Sequence, residues 1–170
     1  MFATTAPGVP LVTEPLRDFD DFYRVEYPRL LRVLSAADVS AADALQEAFT
    51  KAAASWSQVS GYEHPAAWVR QVAVRRMLNE RRSMRRRDAA MERFALVASD
   101  DSVDREGLLD LARAMDTLPR QQRVALTLFY LAGLTSAQTA AEMGISAGAV
   151  RFHLHEARHT LREILGVSDE

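Results

Sequence analysis

The spacing of the apolar residues constrains this chain more than any other feature. Across its 170 residues large apolar side chains recur three and four positions apart, while glycine (7) and proline (6) are scarce. That period belongs to amphipathic helices, since half-buried strands alternate every second residue. An all-α protein is therefore expected. The first helix is predicted from about Arg17, with Phe19, Phe22, Tyr23, Leu30, Leu31 and Leu34 available for a core. Pro28 is expected to kink or restart it, because proline lacks the amide hydrogen the helix needs. A second helix is predicted from Ser40, as its N-cap, to Trp56, with Leu45, Ala48, Phe49, Ala52 and Trp56 on one face. SQVSGYEHP reads as a loop, and Pro65 suits the opening of a long helix running into the low nineties. Its buried stripe is Trp68, Val69, Val72, Ala73 and Met77.

Beyond the acidic stretch ASDDSVDRE, shorter helices are predicted over 108–117, 120–132, 135–143 and 147–165. Leu118-Pro119 separates the first two, and Gly133 and Gly144 end the second and third. The expected organisation is a disordered tail (1–15), a helical domain (16–92), a flexible linker (93–107) and a second helical domain (108–166). Cysteine is absent, which excludes disulfide scaffolds, thiol catalysis, iron–sulfur clusters and cysteine zinc fingers. No apolar run approaches the ~18 residues of a membrane span, and the first residues lack a secretory pattern. The expectation is a cytoplasmic protein without membrane insertion.

Charge is segregated, although the net is only -2. All basic residues except Lys51 are arginine, and Arg70, Arg75, Arg76, Arg81, Arg82, Arg85, Arg86 and Arg87 crowd into one short stretch. Arginine's planar fork suits phosphate and base edges. Arg75, Asn79, Arg82 and Arg86 recur as i, i+4, i+7 and i+11, one stripe on the long helix, widened by Arg70, Arg81 and Arg85. Such a stripe can track a nucleic-acid backbone, and Tyr62 on the preceding loop can stack on an unpaired base. On the second helix Asp43, Gln46, Glu47 and Thr50 form a polar stripe suited to a basic partner helix; a merely solvated face has the same pattern.

From Ser136 to Val150 the spacing fits a helix-turn-helix. Ala140 is small at the crossing, Gly144 permits a left-handed turn, Ile145 plugs the core, and Ser146 can cap the last helix. Val150, Leu154, Ala157 and Leu161 then face inward, leaving Gly148, Arg151, Phe152, His155 and Glu156 outward. Arg151 can pair with guanine or phosphate and Phe152 can meet a thymine methyl, although a helical hairpin packing on another protein would share this outline. His155, Glu156 and His159 also spell HExxH, the zinc-protease motif. Ala157 is needed by the core face and no third ligand is evident, so histidines on a polar face are the simpler account. No metal, cofactor or catalytic residue is expected.

Taken together these segments resemble the extracytoplasmic-function (group IV) sigma factors of bacterial RNA polymerase. DFDDFYRVEYPRLLRVL, ADALQEAFTKAAASW and HPAAWVRQVAVRRMLNERRSMRRR resemble the family's sigma-two module, and the segment from Leu118 to Leu165 resembles its sigma-four module. The resemblance implies a promoter-specificity subunit that is not an enzyme. Asp43, Gln46 and Glu47, with neighbouring Thr50, would dock on core polymerase. The loop holding Ser60, Gly61 and Tyr62 would capture a flipped base of the -10 element. Arg75, Arg76, Asn79, Arg82 and Arg86 would contact that element and its duplex edge. Ser146, Arg151, Phe152, His155 and Glu156 would face the -35 element, with Arg158 near phosphate. An anti-sigma factor is a further implied partner. The chain departs from the family's usual residues at Arg75, Asn79, Gln138, Thr139, Ala149 and Glu156, so promoter sequence does not carry over. A helix-turn-helix regulator that binds duplex DNA without polymerase is the alternative reading.

Overall fold

The computed structural model describes residues 18–80 and 104–167, which are helical throughout with no strand among them. The first half comprises α1 (Phe19–Leu34), α2 (Ala41–Ala54), the single turn α3 (Trp56–Val59) and α4 (Pro65–Asn79). The second comprises α5 (Arg105–Thr117), α6 (Arg120–Leu126) continuing into a π-helical turn (Thr127–Leu131), α7 (Ser136–Met143) and α8 (Ala147–Leu165). The tail and most of the expected linker lie outside the described residues. The last linker positions do not: Asp104 accepts the Glu106 amide at 3.1 Å and caps α5, which therefore starts inside the expected linker.

Local chemistry explains most boundaries. Asp18 caps α1 by accepting the Asp20 amide at 3.1 Å. The helix runs through Pro28 without restarting. Proline and Arg24, whose carbonyl loses its usual donor, are both exposed, so water can satisfy the carbonyl. Ser40 precedes α2 but does not cap it with its side chain. Its amide and hydroxyl instead donate to Asp38 Oδ1, at 3.0 and 2.8 Å. The long arginine helix is also shorter than expected. It ends at Asn79, Glu80 being extended, and Arg82 and Arg86 fall outside the described residues.

An aromatic cluster fixes α1 against α2. Phe49 is buried with its ring centroid 5.0 Å from Tyr23, 5.7 Å from Phe22 and from Tyr27, and 6.4 Å from Phe19. Trp56 closes the cluster 4.9 Å from Phe22. On α4, Val69, Ala73 and Met77 are fully buried, as their spacing predicts, and Val74 joins them. In the second half Val124, Leu128, Val150, Leu154 and Ala157 form the buried centre. The two halves share one continuous apolar cluster, because α1 meets the π-helical turn and α4 meets α6 and α7.

Candidate nucleic-acid interface

The helix-turn-helix is assembled by strictly local devices. Thr135 and Gln138 cap each other's amides, at 3.1 and 2.9 Å, forming a reciprocal box at the start of α7. Gly144 ends α7 at φ 71, in the left-handed region that favours glycine. Ser146 Oγ accepts the Ala149 amide at 3.1 Å and opens α8. Val150, Leu154 and Ala157 point inward, so Arg151, Phe152 and His155 stand exposed on the outer face with Glu156 half-buried beside them. Phe152 is 59% exposed, a large apolar ring on an otherwise polar surface. Arg158 donates to the Tyr130 hydroxyl at 3.2 Å. Ser146 is thus a cap whose hydroxyl is already engaged. Among the described residues no group of histidines and carboxylates could hold a metal ion.

In the first half, α2 presents Asp43, Gln46, Glu47 and Thr50 on one side. Gln46 donates to the Tyr23 hydroxyl at 3.0 Å, and Thr50 donates back to the Gln46 carbonyl at 2.7 Å. Glu47 is engaged on both oxygens, by Arg76 at 2.6 Å and by Lys51 at 3.0 Å. The hydrogen bonds from Arg76 and then Lys51 hold its carboxyl below the ordinary glutamate range. Two residues assigned different tasks from sequence, Glu47 and Arg76, therefore form one ion pair.

Ser60, Gly61 and Tyr62 form the turn leading into α4. Tyr62 leans on Trp68, with centroids 6.2 Å apart, and its ring stays partly open to solvent. Together with His64, Arg70 and Gln71 these two rings line one side of an open groove of about 710 Å³, whose other side is lined by Leu134, Gln138 and Glu142 of the second half. Asn79 is exposed at the end of α4, whereas Arg75 reaches across to donate to the Ala141 carbonyl at 3.1 Å. Arg70 grips Glu142 with three donor contacts of 2.6 to 2.9 Å, and both side chains are largely buried.

A second polar junction went unnoticed in the sequence. Asp38 is 4% exposed and accepts from Arg120 Nε and Arg123 Nη2, both at 3.1 Å. Arg123 also donates to the carbonyls of Ala37 and Leu118, at 2.7 and 2.6 Å. Arg120 donates to the Met77 carbonyl at 2.9 Å and to that of Glu80. Burial alone would raise the Asp38 carboxyl, but the Ser40 hydrogen bonds and the two guanidinium groups outweigh it and hold it below the ordinary aspartate value. The only hint in the sequence was an isolated acid in SAADVS and arginines placed among apolar residues in LPRQQRVAL.

Known proteins share this architecture. The family described as Sigma-70, region 4 matches residues 108–161. The ECF RNA polymerase sigma factor SigF of Caulobacter vibrioides is 30% identical over 140 residues, 82% of this chain and 78% of that protein. The RNA polymerase sigma-E factor of Streptomyces antibioticus is 29% identical over 159 residues, 89% of this chain and 87% of that protein. Among solved structures, the sigma factor RpoE of Bartonella quintana, in complex with the anti-sigma factor NepR, is similar with a TM-score of 0.64. It is 24% identical and covers 90% of this chain and 99% of that one.

Proposed function

The chain belongs to the ECF sigma factors of RNA polymerase, and on that premise we propose how its own residues divide the work of transcription initiation. The family consists of transcription initiation factors that act with core polymerase on promoter DNA. In our reading residues 16–92 are the domain that docks on core polymerase and opens the -10 element, and residues 108–166 are the domain that reads the -35 element. The observation that carries this division is the exposed triad Arg151, Phe152 and His155 on a capped helix-turn-helix, set on a different half from the acidic face of α2.

Arg151 has the fork to pair with a guanine edge or phosphate, and Phe152 the apolar surface for a thymine methyl. Half-buried Glu156 can accept from cytosine N4. Asp43 and Glu47 attract a basic helix of the polymerase, Arg75, Arg76 and Asn79 contact the -10 region, and Tyr62 stacks on an unpaired base. An anti-sigma factor is a further partner in this reading, supported by the complex formed by the similar Bartonella protein.

Run-off transcription with sigma-free core polymerase on pooled promoter fragments tests the assignment. The wild-type chain is expected to yield discrete transcripts that require both components. Arg151→Ala is expected to change the base preference within the -35 element without lowering core affinity. Glu47→Ala is expected to weaken core binding about tenfold while DNA preference is retained. An unchanged preference profile, or an unchanged core affinity, removes the corresponding residue from its role.

A further inference from the structure

The arginines between the two halves are satisfied by carboxylates. Arg70 holds Glu142, and Arg120 and Arg123 hold Asp38. Arg158 differs. It is exposed on α8, pairs with no carboxylate among the described residues, and donates through Nη1 to the Tyr130 hydroxyl at 3.2 Å. A phenolic oxygen that accepts one hydrogen bond still has its own proton to donate. A guanidinium and an O–H donor therefore stand side by side on the surface, with no anion between them.

Two local features bring this pair together. Tyr130 belongs to the π-helical turn Thr127–Leu131, in which the Ala132 amide reaches back to the Thr127 carbonyl at 3.1 Å. Such turns are rare and recur at functional sites. Here Leu128 stays buried, Phe129 is half-buried with its ring edge-on to Tyr130 at 5.0 Å, and Tyr130 emerges 54% exposed. Arg158 follows Arg151 by two turns of α8 and so lies on the same flank, ~10 Å further along the helix. A recognition helix presents its first residues to base edges, in a major groove ~8.5 Å deep. With Arg151 at those edges, Arg158 and Tyr130 stand beyond that depth, level with the sugar-phosphate backbone.

We propose that Tyr130 and Arg158 form a clasp for one DNA phosphate, which makes Tyr130 a DNA-binding residue; the proposal rests on the reading of α8 as the -35 helix. One phosphate oxygen accepts from a guanidinium N–H that Tyr130 leaves free, another accepts from the phenolic O–H, and the bond between the two side chains keeps the donors together. Phosphate contacts fix register on the duplex and carry no base information. The clasp thus holds the backbone while Arg151 and Phe152 read the bases.

The test measures binding of the full-length chain to a labelled pool of 30-base-pair duplexes of random sequence across a salt series, and sequences the bound fraction. Tyr130→Phe removes the hydroxyl alone. It is expected to weaken binding about tenfold, the lower end for a hydrogen bond to a charged group. The salt slope and the enriched sequences are expected to stay unchanged, because a neutral donor releases no counter-ion and reads no base. Arg158→Ala is expected to weaken binding and to make the log–log slope shallower by about one. Added to Arg158→Ala, Tyr130→Phe is expected to cost only about twofold, since each donor positions the other. Arg151→Ala, the reference for base reading, is expected to shift the enriched sequences. The urea midpoint of Tyr130→Phe is expected to match wild type, because the ring is exposed and keeps its contact with Phe129.

Tyr130→Phe binding as tightly as wild type, changing the enriched sequences, lowering the urea midpoint, or costing the full tenfold without Arg158 overturns the clasp. Where Arg151→Ala still shifts the sequences, the clasp alone falls. Binding that Arg151→Ala, Arg158→Ala and Tyr130→Phe all leave unaltered, or no binding even at low salt, overturns the reading of α8 as the promoter helix together with the clasp.

Discussion

Replacing Asp38 with alanine removes a carboxylate that ties two arginines of the second half to the first. Its oxygens accept four hydrogen bonds: two from Ser40 and one each from Arg120 and Arg123. Breaking a buried ion pair from one side costs roughly 3–5 kcal/mol, because the remaining charge stays buried without its counter-ion. Arg120 and Arg123 each keep two carbonyl acceptors in Asp38→Ala, which places the expected loss at the lower end, about 3 kcal/mol. For a chain of this length that corresponds to a fall in Tm of about 6–12 °C. Urea denaturation of wild type, Asp38→Ala, Arg123→Met and the double variant measures the coupling directly. A loss below about 1 kcal/mol, the value of an exposed pair, would refute the claim that this junction holds the halves together. The sign of the pH dependence follows from the depressed pKa. Asp38's contribution is complete above the unfolded carboxyl value of about 3.9 and is lost as pH falls through the lower folded value. Wild-type stability should therefore drop more steeply in that acid window than that of Asp38→Ala.

Two further perturbations probe the helix-turn-helix. Thr139 is fully buried, and its hydroxyl has no hydrogen-bond partner among the described residues. Thr139→Val, which replaces that hydroxyl with a methyl, should stabilise by about 1 kcal/mol in urea denaturation; a loss of stability would show that the hydroxyl is satisfied. Ser146→Ala removes the cap of α8 and should cost about 1 kcal/mol by the same measurement. A cost near zero would mean the α8 amides find another acceptor.

The residues that build each helix were legible because their causes lie within a turn of the chain. Ser146 caps an amide three positions on, and Gly144 adopts the conformation its lack of a side chain allows, whereas the caps Asp18 and Asp104 were not foreseen, Asp104 having been placed in the linker. The inward stripes Val69/Ala73/Met77 and Val150/Leu154/Ala157 follow from the helical period, and that same period exposes Arg151, Phe152 and His155. Ser40 misled because a serine before a helix has two uses for its hydroxyl. The nearby Asp38, itself fixed by α6, took it. The π-helical turn was invisible for a related reason. Its Ala132 to Thr127 bond shifts the register by one residue without altering the composition of the apolar face.

The amino-acid sequence by itself determined the all-helical architecture, the helix-turn-helix, and which faces carry arginine, acid or apolar groups. Only the tertiary structure decided which charges meet. Arg76 takes Glu47 from 29 residues away, Arg70 takes Glu142 from 72, and Asp38 takes Arg120 and Arg123 from 82 and 85. A helix's periodicity specifies the direction in which a side chain points, within a turn of its neighbours. It carries no information on which distant helix arrives there, because that depends on how complete apolar surfaces dock. Faces that look free along the chain, such as the arginines of α4, are consequently partnered in the folded molecule.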